Sequence, residues 1–155
     1  MPAPNVFSDE WDFDRPNFRA TSVARRAGAE RLGGTVYELQ PGSTGTGLHL
    51  HHAIEELVVV LRGRPTLRTL EDERELEPGD VVAFPLGRRG AHTLENRTDE
   101  AVRYLMFSTI AFPDVTENPE RGMITAYTHL PWEAPREGQD PEDAFFLMFK
   151  RADAE

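Results

Sequence analysis

The chain contains no cysteine, and this absence restricts its chemistry. Disulfides and thiolate metal ligands are both excluded, so any bound metal must sit on nitrogen and oxygen atoms. The first residues are polar and acidic, and they lack the basic segment followed by an apolar one that marks a secretory signal, so we expect no signal peptide. Both observations favour a cytoplasmic location.

Long hydrophobic runs and an excess of positive charge are missing as well. Apolar runs such as Leu57 to Leu61 are far shorter than the ~18 residues that a membrane-spanning helix needs. The 27 acidic residues outnumber the 17 basic ones, which gives a net charge of −10. A surface with this charge disfavours nucleic acid and membranes as partners, so we expect a small-molecule ligand instead.

The length of 155 residues suits one domain, and the composition divides the chain into three parts. Residues 1–34 form an N-terminal arm, which we expect to pack on the body of the domain. Residues 35–112 form a β-rich body. Residues 113–155 form a C-terminal extension rich in proline, glutamate and aspartate.

The body consists of short β-like runs separated by turn signals such as Pro41-Gly42 and Pro78-Gly79-Asp80. Many short strands with glycine and proline turns between them predict an all-β sandwich or barrel. No segment of the body has the pattern of a crossover helix, which argues against a parallel α/β sheet. The predicted strands are Thr35–Gln40, Leu48–His52, Glu56–Leu61, Thr66–Leu70, Val81–Phe84, Ala91–Glu95 and Ala101–Thr109.

The run from Leu57 to Leu61 is apolar at every position, although a strand with one face in water should alternate. Both faces of this strand are therefore expected to be covered. The inner face points into the barrel, and the outer face is covered by the N-terminal arm, by a second subunit or by a core within the monomer. The apolar strand makes a homodimer our expectation.

The extension contains two signals that point to different secondary structures. Asp140, followed by proline and two acids, is typical of a helix start. The aromatic run from Ala144 to Phe149 is also typical of a strand. Phe145, Phe146, Phe149 and Trp132 could form a lid over a site, but packing on the outside of the body is the favoured interpretation.

Two histidines and a glutamate are spaced so that they can meet. Alternate residues of a strand share a face, so His49 and His51 point the same way and His52 points the opposite way. Imidazoles about 6–7 Å apart along a strand can chelate one ion. A short turn through Ala53 and Ile54 would return Glu56 beside them, where a poorly solvated carboxylate favours a bound cation.

A second stretch adds a further histidine. The turn Pro78-Gly79-Asp80 starts a strand, and the loop from Pro85 to Gly90 reverses the chain. His92 then begins a strand on whose inner face Leu94 and Asn96 should follow.

The two stretches together resemble the two motifs of the cupin superfamily, as found in small single-domain cupins. The first motif has His-x-His, then Glu and, after six residues, Gly; its positions are taken by His49, His51, Glu56 and Gly63. The second departs from the family pattern by two extra residues before its histidine; its positions are taken by Gly79, Pro85, Gly87, His92 and Asn96.

The resemblance implies a cupin double-stranded β-helix, which is a jelly-roll-type barrel. It also implies one divalent metal ion, with open positions for water, oxygen or substrate, bound by His49, His51, Glu56 and His92. Imidazole and carboxylate ligands suit Mn, Fe, Co, Ni, Cu and Zn without selecting among them.

Two classes of function agree with such a site. The first is a small-molecule metalloenzyme of oxygenase, isomerase or lyase type, in which Glu56 is both ligand and base. The alternative is a non-catalytic barrel that binds or senses a small molecule. Arg88 and Arg89 could clamp an anionic ligand, although a solvated turn is the favoured interpretation of this pair.

Some apolar residues of the body could line the ligand pocket of either class. For each of them, a place in the barrel core is the favoured interpretation. They are Tyr37, Phe84, Leu94, Tyr104 and Met106.

Overall fold

The computed structural model describes residues 2–129 and 138–152. Almost all regular structure in these residues is β-strand, and the all-β prediction is confirmed. None of the helical segments in the described ranges has the length and apolar character needed to cross a lipid bilayer. The prediction for Trp132 lies outside the described residues.

Thirteen strands, one short helix and two 3-10 turns make up the described part of the chain. In chain order they are β1 (Phe13–Asp14), β2 (Phe18–Ser22), α1 (Val23–Arg26), β3 (Leu32–Leu39), β4 (Leu50–His51), β5 (Glu56–Arg62), β6 (Thr66–Arg68), β7 (Glu73–Glu75), β8 (Val81–Phe84), a 3-10 turn (Arg88–Gly90), β9 (Thr93–Glu95), β10 (Val102–Thr109), β11 (Asp114–Asn118), β12 (Met123–Tyr127), a second 3-10 turn (Pro141–Asp143) and β13 (Phe146–Lys150).

The strands form three antiparallel sheets. The largest has the order β1-β2-β3-β10-β5-β8, the second β13-β12-β11-β4 and the third β7-β6-β9. Each of the seven runs predicted from the sequence overlaps one of these strands. The glycine of the first motif, Gly63, follows the end of β5. It has φ +75°, and a Cβ there would lie 2.8 Å from a methyl carbon of Val102, so this position requires glycine.

The core lies on the inner face of the largest sheet. Val58 and Val60 of β5 are at most 1 % exposed, whereas Leu57, Val59 and Leu61 point outward and are half-buried. The arm covers part of this outer face, because its residues Val6 and Trp11 pack against the same small buried cluster as Leu61 does. The inner cluster comprises Leu39, Val58, Val60, Leu67, Leu76, Phe84, Leu94, Val102, Tyr104 and Met106. The homodimer stays a prediction.

A buried arginine fastens the arm to the sheet. Arg103 on β10 donates to Glu38 on β3 through Nε and Nη2, at 3.0 and 2.7 Å. The same guanidinium donates to Asp9 at 2.6 Å and to the carbonyl of Ser8 at 3.2 Å, and it lies over the ring of Trp11. The arm is therefore held by polar contacts as well as by apolar packing.

The extension contributes three of the four strands of the second sheet. Asp140 accepts a hydrogen bond from the backbone of Glu142 at 3.0 Å, which starts a single 3-10 turn rather than a long helix. The aromatic run then becomes strand β13, paired with β12. The two signals read from the sequence thus describe successive segments: a turn and then a strand.

Candidate metal centre

The extended segment around β4 and the start of β5 bring two histidines and a glutamate together. Nε2 of His51 lies 3.2 Å from Oε2 of Glu56, and Nε2 of His49 lies 4.0 Å from the same oxygen. The three residues form a group that could hold a metal ion, with one ligand atom from each lying within 4.8 Å of the others. His52 points the opposite way, where its Nε2 lies 2.7 Å from Oε1 of Glu117.

His92 reaches the same point from the other motif. Its backbone pairs with that of His49 through two hydrogen bonds, N–H to carbonyl in each direction, at 3.1 and 2.9 Å. Its Nε2 lies 3.2 Å from Oε2 of Glu56. The loop before it is longer than the family pattern, but the additional residues fold into the 3-10 turn Arg88–Gly90. The ring of His92 stacks on Phe84, with centroids 3.6 Å apart.

Each of the three imidazoles has its Nδ1 atom occupied. Nδ1 of His49 lies 2.8 Å from the carbonyl of Gly47, and Nδ1 of His92 lies 2.8 Å from the carbonyl of Gly90. A carbonyl can only accept, so the proton of each neutral ring belongs on Nδ1 and the Nε2 lone pair is left free. Nδ1 of His51 lies 2.6 Å from a carboxylate oxygen of Asp114, which can likewise only accept.

The atoms that converge have no other partner. Within the described residues, Nε2 of His51, Nε2 of His92 and Oε2 of Glu56 are buried without a hydrogen bond. An unsatisfied buried polar group costs about 1–3 kcal/mol, and a shared cation would satisfy all three atoms at once. Nitrogen and oxygen donors of this kind match the preferences of divalent transition metals. The residues present therefore fit such an ion.

Burial and neighbouring charges shift the pKa values of the cluster in different directions. Burial, assisted by the neighbouring His92, lowers the pKa of His49 to about 4. Burial lowers the pKa of His51 as well, but the carboxylates of Asp114 and Glu56 outweigh it and raise that pKa to about 9. Burial raises the pKa of Glu56, but contacts with His51 and His92 hold it well below its usual range. Glu56 is therefore an anion that attracts a cation.

Asp114 is a site residue that the sequence pattern did not identify. It is 0 % exposed, and its carboxylate accepts from His51 Nδ1, from the backbone N–H of Ala53 at 2.9 Å and from the hydroxyl of Tyr127 at 2.9 Å. A carboxylate behind a metal-binding histidine fixes the orientation of the ring and makes the nitrogen a better ligand. No spacing rule links Asp114 to the motifs, because it lies in the extension.

We expect Asp114→Asn to weaken metal binding about 10- to 100-fold, the usual cost of losing a carboxylate behind a ligating histidine. An asparagine has one acceptor oxygen in place of two, so one of the three donors around it must lose its partner. Tyr127→Phe is the matched control. It removes the hydroxyl that donates to Asp114 and leaves the 2.6 Å contact between Asp114 and His51 in place. Competition of each variant with a chromogenic chelator measures the affinity. Equal loss in both variants would contradict the assigned role.

A cavity of about 310 Å³ opens beside the cluster. Its walls combine apolar side chains with hydroxyl and amide groups and one guanidinium. Its lining includes His49, His51, Glu56, Thr116, Asn118 and Arg121. A small polar molecule bound here would contact the candidate ligand residues directly.

The five apolar residues predicted for the pocket or the core occupy three places. Tyr37 and Met106 line the cavity, while Leu94 and Tyr104 line a void of about 30 Å³ that His92 also borders. Phe84 belongs to the core.

The structure decides between the alternatives for the aromatic run of the extension and for the pair Arg88 and Arg89. Phe146 was expected outside the body but lines the cavity, because alternate residues of β13 face opposite ways and Phe149 takes the other side. Arg88 and Arg89 are exposed and do not line it, which agrees with the favoured interpretation of a solvated turn.

An antiparallel barrel with three imidazoles and a carboxylate gathered on its inner side is the architecture of the cupins. The cupin domain family matches residues 35–108. Residues 35–108 therefore form a cupin domain, and the resemblance seen in the two motifs is confirmed. No curated protein matches the sequence significantly.

Solved structures agree with this fold. A sugar phosphate isomerase of the cupin superfamily from Silicibacter pomeroyi superposes with a TM-score of 0.72 at 24% identity, covering 86% of this chain and 76% of the other. An Acidithiobacillus ferrooxidans protein provisionally named a sugar phosphate isomerase gives 0.71 at 26% identity, covering 89% and 79%. KdgF from Halomonas gives 0.53 at 21% identity, covering 64% and 87%, which is a likeness of fold alone.

Proposed function

We propose that the protein is a metal-dependent isomerase that acts on a small phosphorylated sugar. His49, His51, Glu56 and His92 would hold one divalent transition metal ion. The observation that carries this proposal is the convergence of three imidazole Nε2 atoms on one buried carboxylate oxygen, at the wall of a cavity. A structural cluster would have no need of an opening to a ligand-sized space.

The size and lining of the cavity suit a small substrate. Its volume of about 310 Å³ lies at the lower end of the range typical of small-molecule sites. Threonine and asparagine side chains on its wall, Thr116 and Asn118 among them, can hydrogen-bond the hydroxyl groups of a sugar.

The chemistry of isomerisation suits these residues. Conversion of an aldose into a ketose moves protons between two neighbouring carbons and their oxygens, and it needs no external oxidant or reductant. The metal, when bound, supplies the positive charge that polarises the substrate carbonyl. Glu56 has two carboxylate oxygens, so it can serve as a ligand through one and take a substrate proton through the other. Asp114 keeps the His51 ring in place during this transfer.

Isomerisation is favoured over oxygenase or lyase chemistry by the comparison with the Acidithiobacillus ferrooxidans protein. That likeness spans most of both chains. Because it covers 89% of this chain and the uncovered part is shorter than the extension, the likeness includes at least part of the extension, whose strands complete the cavity, as well as the motif region. The likeness supports the same class of reaction here.

We expect purified protein to contain about one transition metal ion per chain and to interconvert at least one aldose phosphate with its ketose phosphate. Removal of the metal by a chelator should abolish turnover, and added metal should restore it, because the polarising charge is lost and regained. Elemental analysis and a panel of triose to hexose phosphates, followed by NMR, test both points. Metal without any turnover would favour the non-catalytic binding barrel, and absence of metal would overturn the proposal.

A further inference from the structure

The hairpin between β11 and β12 presents an arginine to the cavity. Oδ1 of Asn118 accepts a hydrogen bond from the backbone N–H of Arg121 at 3.0 Å. Gly122 follows with φ +61°, a conformation that glycine adopts easily, and the chain enters β12 at Met123. Asn118 and Arg121 both line the cavity. The turn therefore fixes the backbone of Arg121, from which the guanidinium extends.

Arg121 differs from most arginines of the protein in forming no ion pair with a described acid. Contact with Arg68 is the main cause of the lowered pKa of Glu120, and the charge of Arg121 helps to lower it. Within the described ranges, eight other arginines form ion pairs with carboxylates, whereas Arg121 forms none. These eight are Arg19, Arg26, Arg62, Arg64, Arg68, Arg97, Arg103 and Arg151. Exposed arginines elsewhere are also unpaired, but Arg121 is the one arginine or lysine among the described residues that line this cavity.

The acids nearest to Arg121 in the hairpin already have partners. Glu120 contacts the guanidinium of Arg68 through both of its oxygens, at 2.5 and 3.3 Å. Glu117 also lines the cavity and contacts His52 and Arg151, at 2.7 and 3.0 Å. The positive charge of Arg121 is therefore left for a ligand, in a protein that is otherwise strongly acidic.

The hairpin begins beside the candidate ligand residues. Thr116 of β11 pairs in register with His51. Asn118 lies about 7 Å farther along the strand, which is the rise of two residues. A Cβ placed on Gly47 would lie 3.6 Å from Nδ2 of Asn118, and the carbonyl of Gly47 is the group that orients His49. A molecule that starts at the cluster and extends along β11 therefore reaches Arg121.

We infer that Arg121, with the amide of Asn118, binds the phosphate group of the substrate. The inference rests on the proposed function and assigns the two ends of the ligand: the carbonyl end lies at the metal ligands and the phosphate end at the hairpin. A guanidinium offers its donors in a fork that fits two phosphate oxygens at once. Arg88 and Arg89, which the sequence offered for this role, are exposed and lie outside the cavity.

The test compares Arg121→Gln with Arg89→Gln, a matched loss of charge outside the cavity. Calorimetry measures the binding of triose to hexose phosphates and of their unphosphorylated counterparts. We expect the wild type to prefer at least one phosphorylated sugar over its counterpart. Arg121→Gln should weaken that phosphate about 10-fold or more, as loss of a hydrogen bond to a charged group does, and leave the counterpart unchanged. Arg89→Gln should keep the preference, and Arg121→Lys should keep part of it.

A preference that survives in Arg121→Gln would overturn the inference, and so would a wild type with no preference for any phosphorylated sugar. Circular dichroism and the Tm show whether each variant is folded. Metal content and turnover of the wild type separate this inference from the proposed function: an active metal enzyme whose phosphate preference survives the substitution contradicts the inference alone. Absence of metal contradicts the proposed function, and the phosphate preference can still be scored.

Discussion

His51→Ala will remain folded and lose its metal, whereas His52→Ala will bind metal as the wild type does. The two histidines are neighbours in the chain, but His51 faces Glu56 and Asp114 while His52 faces Glu117 on the other side. Loss of a ligand atom should weaken metal affinity by more than the ~10- to 100-fold that follows from losing a group behind a ligand. Elemental analysis after dialysis measures the metal, and circular dichroism confirms the fold.

A second matched pair tests the next strand. Glu56→Gln removes the charge at the point of convergence, while Glu55→Gln removes an exposed charge one residue away. Metal and turnover should both decline in Glu56→Gln and persist in Glu55→Gln. Full metal content in His51→Ala, or equal effects in both members of either pair, would show that the ion is held elsewhere.

Arg103→Met will destabilise the protein by about 1.5–3 kcal/mol, the contribution of hydrogen bonds to a charged group, because Glu38 loses its most buried partner but keeps its contacts with Arg19 and Arg62. Arg103 is 2 % exposed and Glu38 is 4 % exposed, so water cannot replace the lost contact. The substitution also removes the hydrogen bonds to Asp9 and Ser8 that hold the arm. Urea denaturation followed by circular dichroism measures the change in the free energy of unfolding.

Arg62→Met is the control for this prediction. Arg62 contacts the same carboxylate of Glu38 at 2.9 Å, but its side chain is 57 % exposed. An exposed ion pair contributes at most about 1 kcal/mol, so this variant should be close to the wild type. The double variant Arg103→Met with Glu38→Met should recover part of the lost stability, because it leaves no buried carboxylate that depends on the half-exposed Arg19 and Arg62 alone. Similar losses for Arg103→Met and Arg62→Met would disprove the assigned role of burial.

Local patterns in the sequence predicted much of the body. The strands follow from short apolar runs between turns, and the meeting of His49, His51 and Glu56 follows from strand periodicity and one short turn. The second motif predicts the position of His92, and the backbone pairing with His49 explains why a longer loop leaves it in place. These features depend on residues that are close in the chain or on a known motif.

The remaining features of the site depend on contacts across the chain, which leave no local signal. Asp114 supports His51 from 63 positions away, so no spacing could have pointed to it. Arg88 and Arg89 are close to His92 in the chain, so the sequence points to them as a clamp for an anionic ligand. The arginine that lines the cavity is Arg121, in the extension. The run around Phe146 is apolar at every position, so its periodicity could not show which side faces the cavity.

The backbone pairing of His49 and His92 determines whether the candidate metal centre needs an ion in order to form. The two hydrogen bonds between them are made by main-chain atoms, so they are independent of what the imidazole nitrogens hold. The frame of the centre is thus built into the fold and does not depend on an ion for its assembly. We therefore expect the fold to persist when a bound ion is removed by a chelator and when an ion is added back.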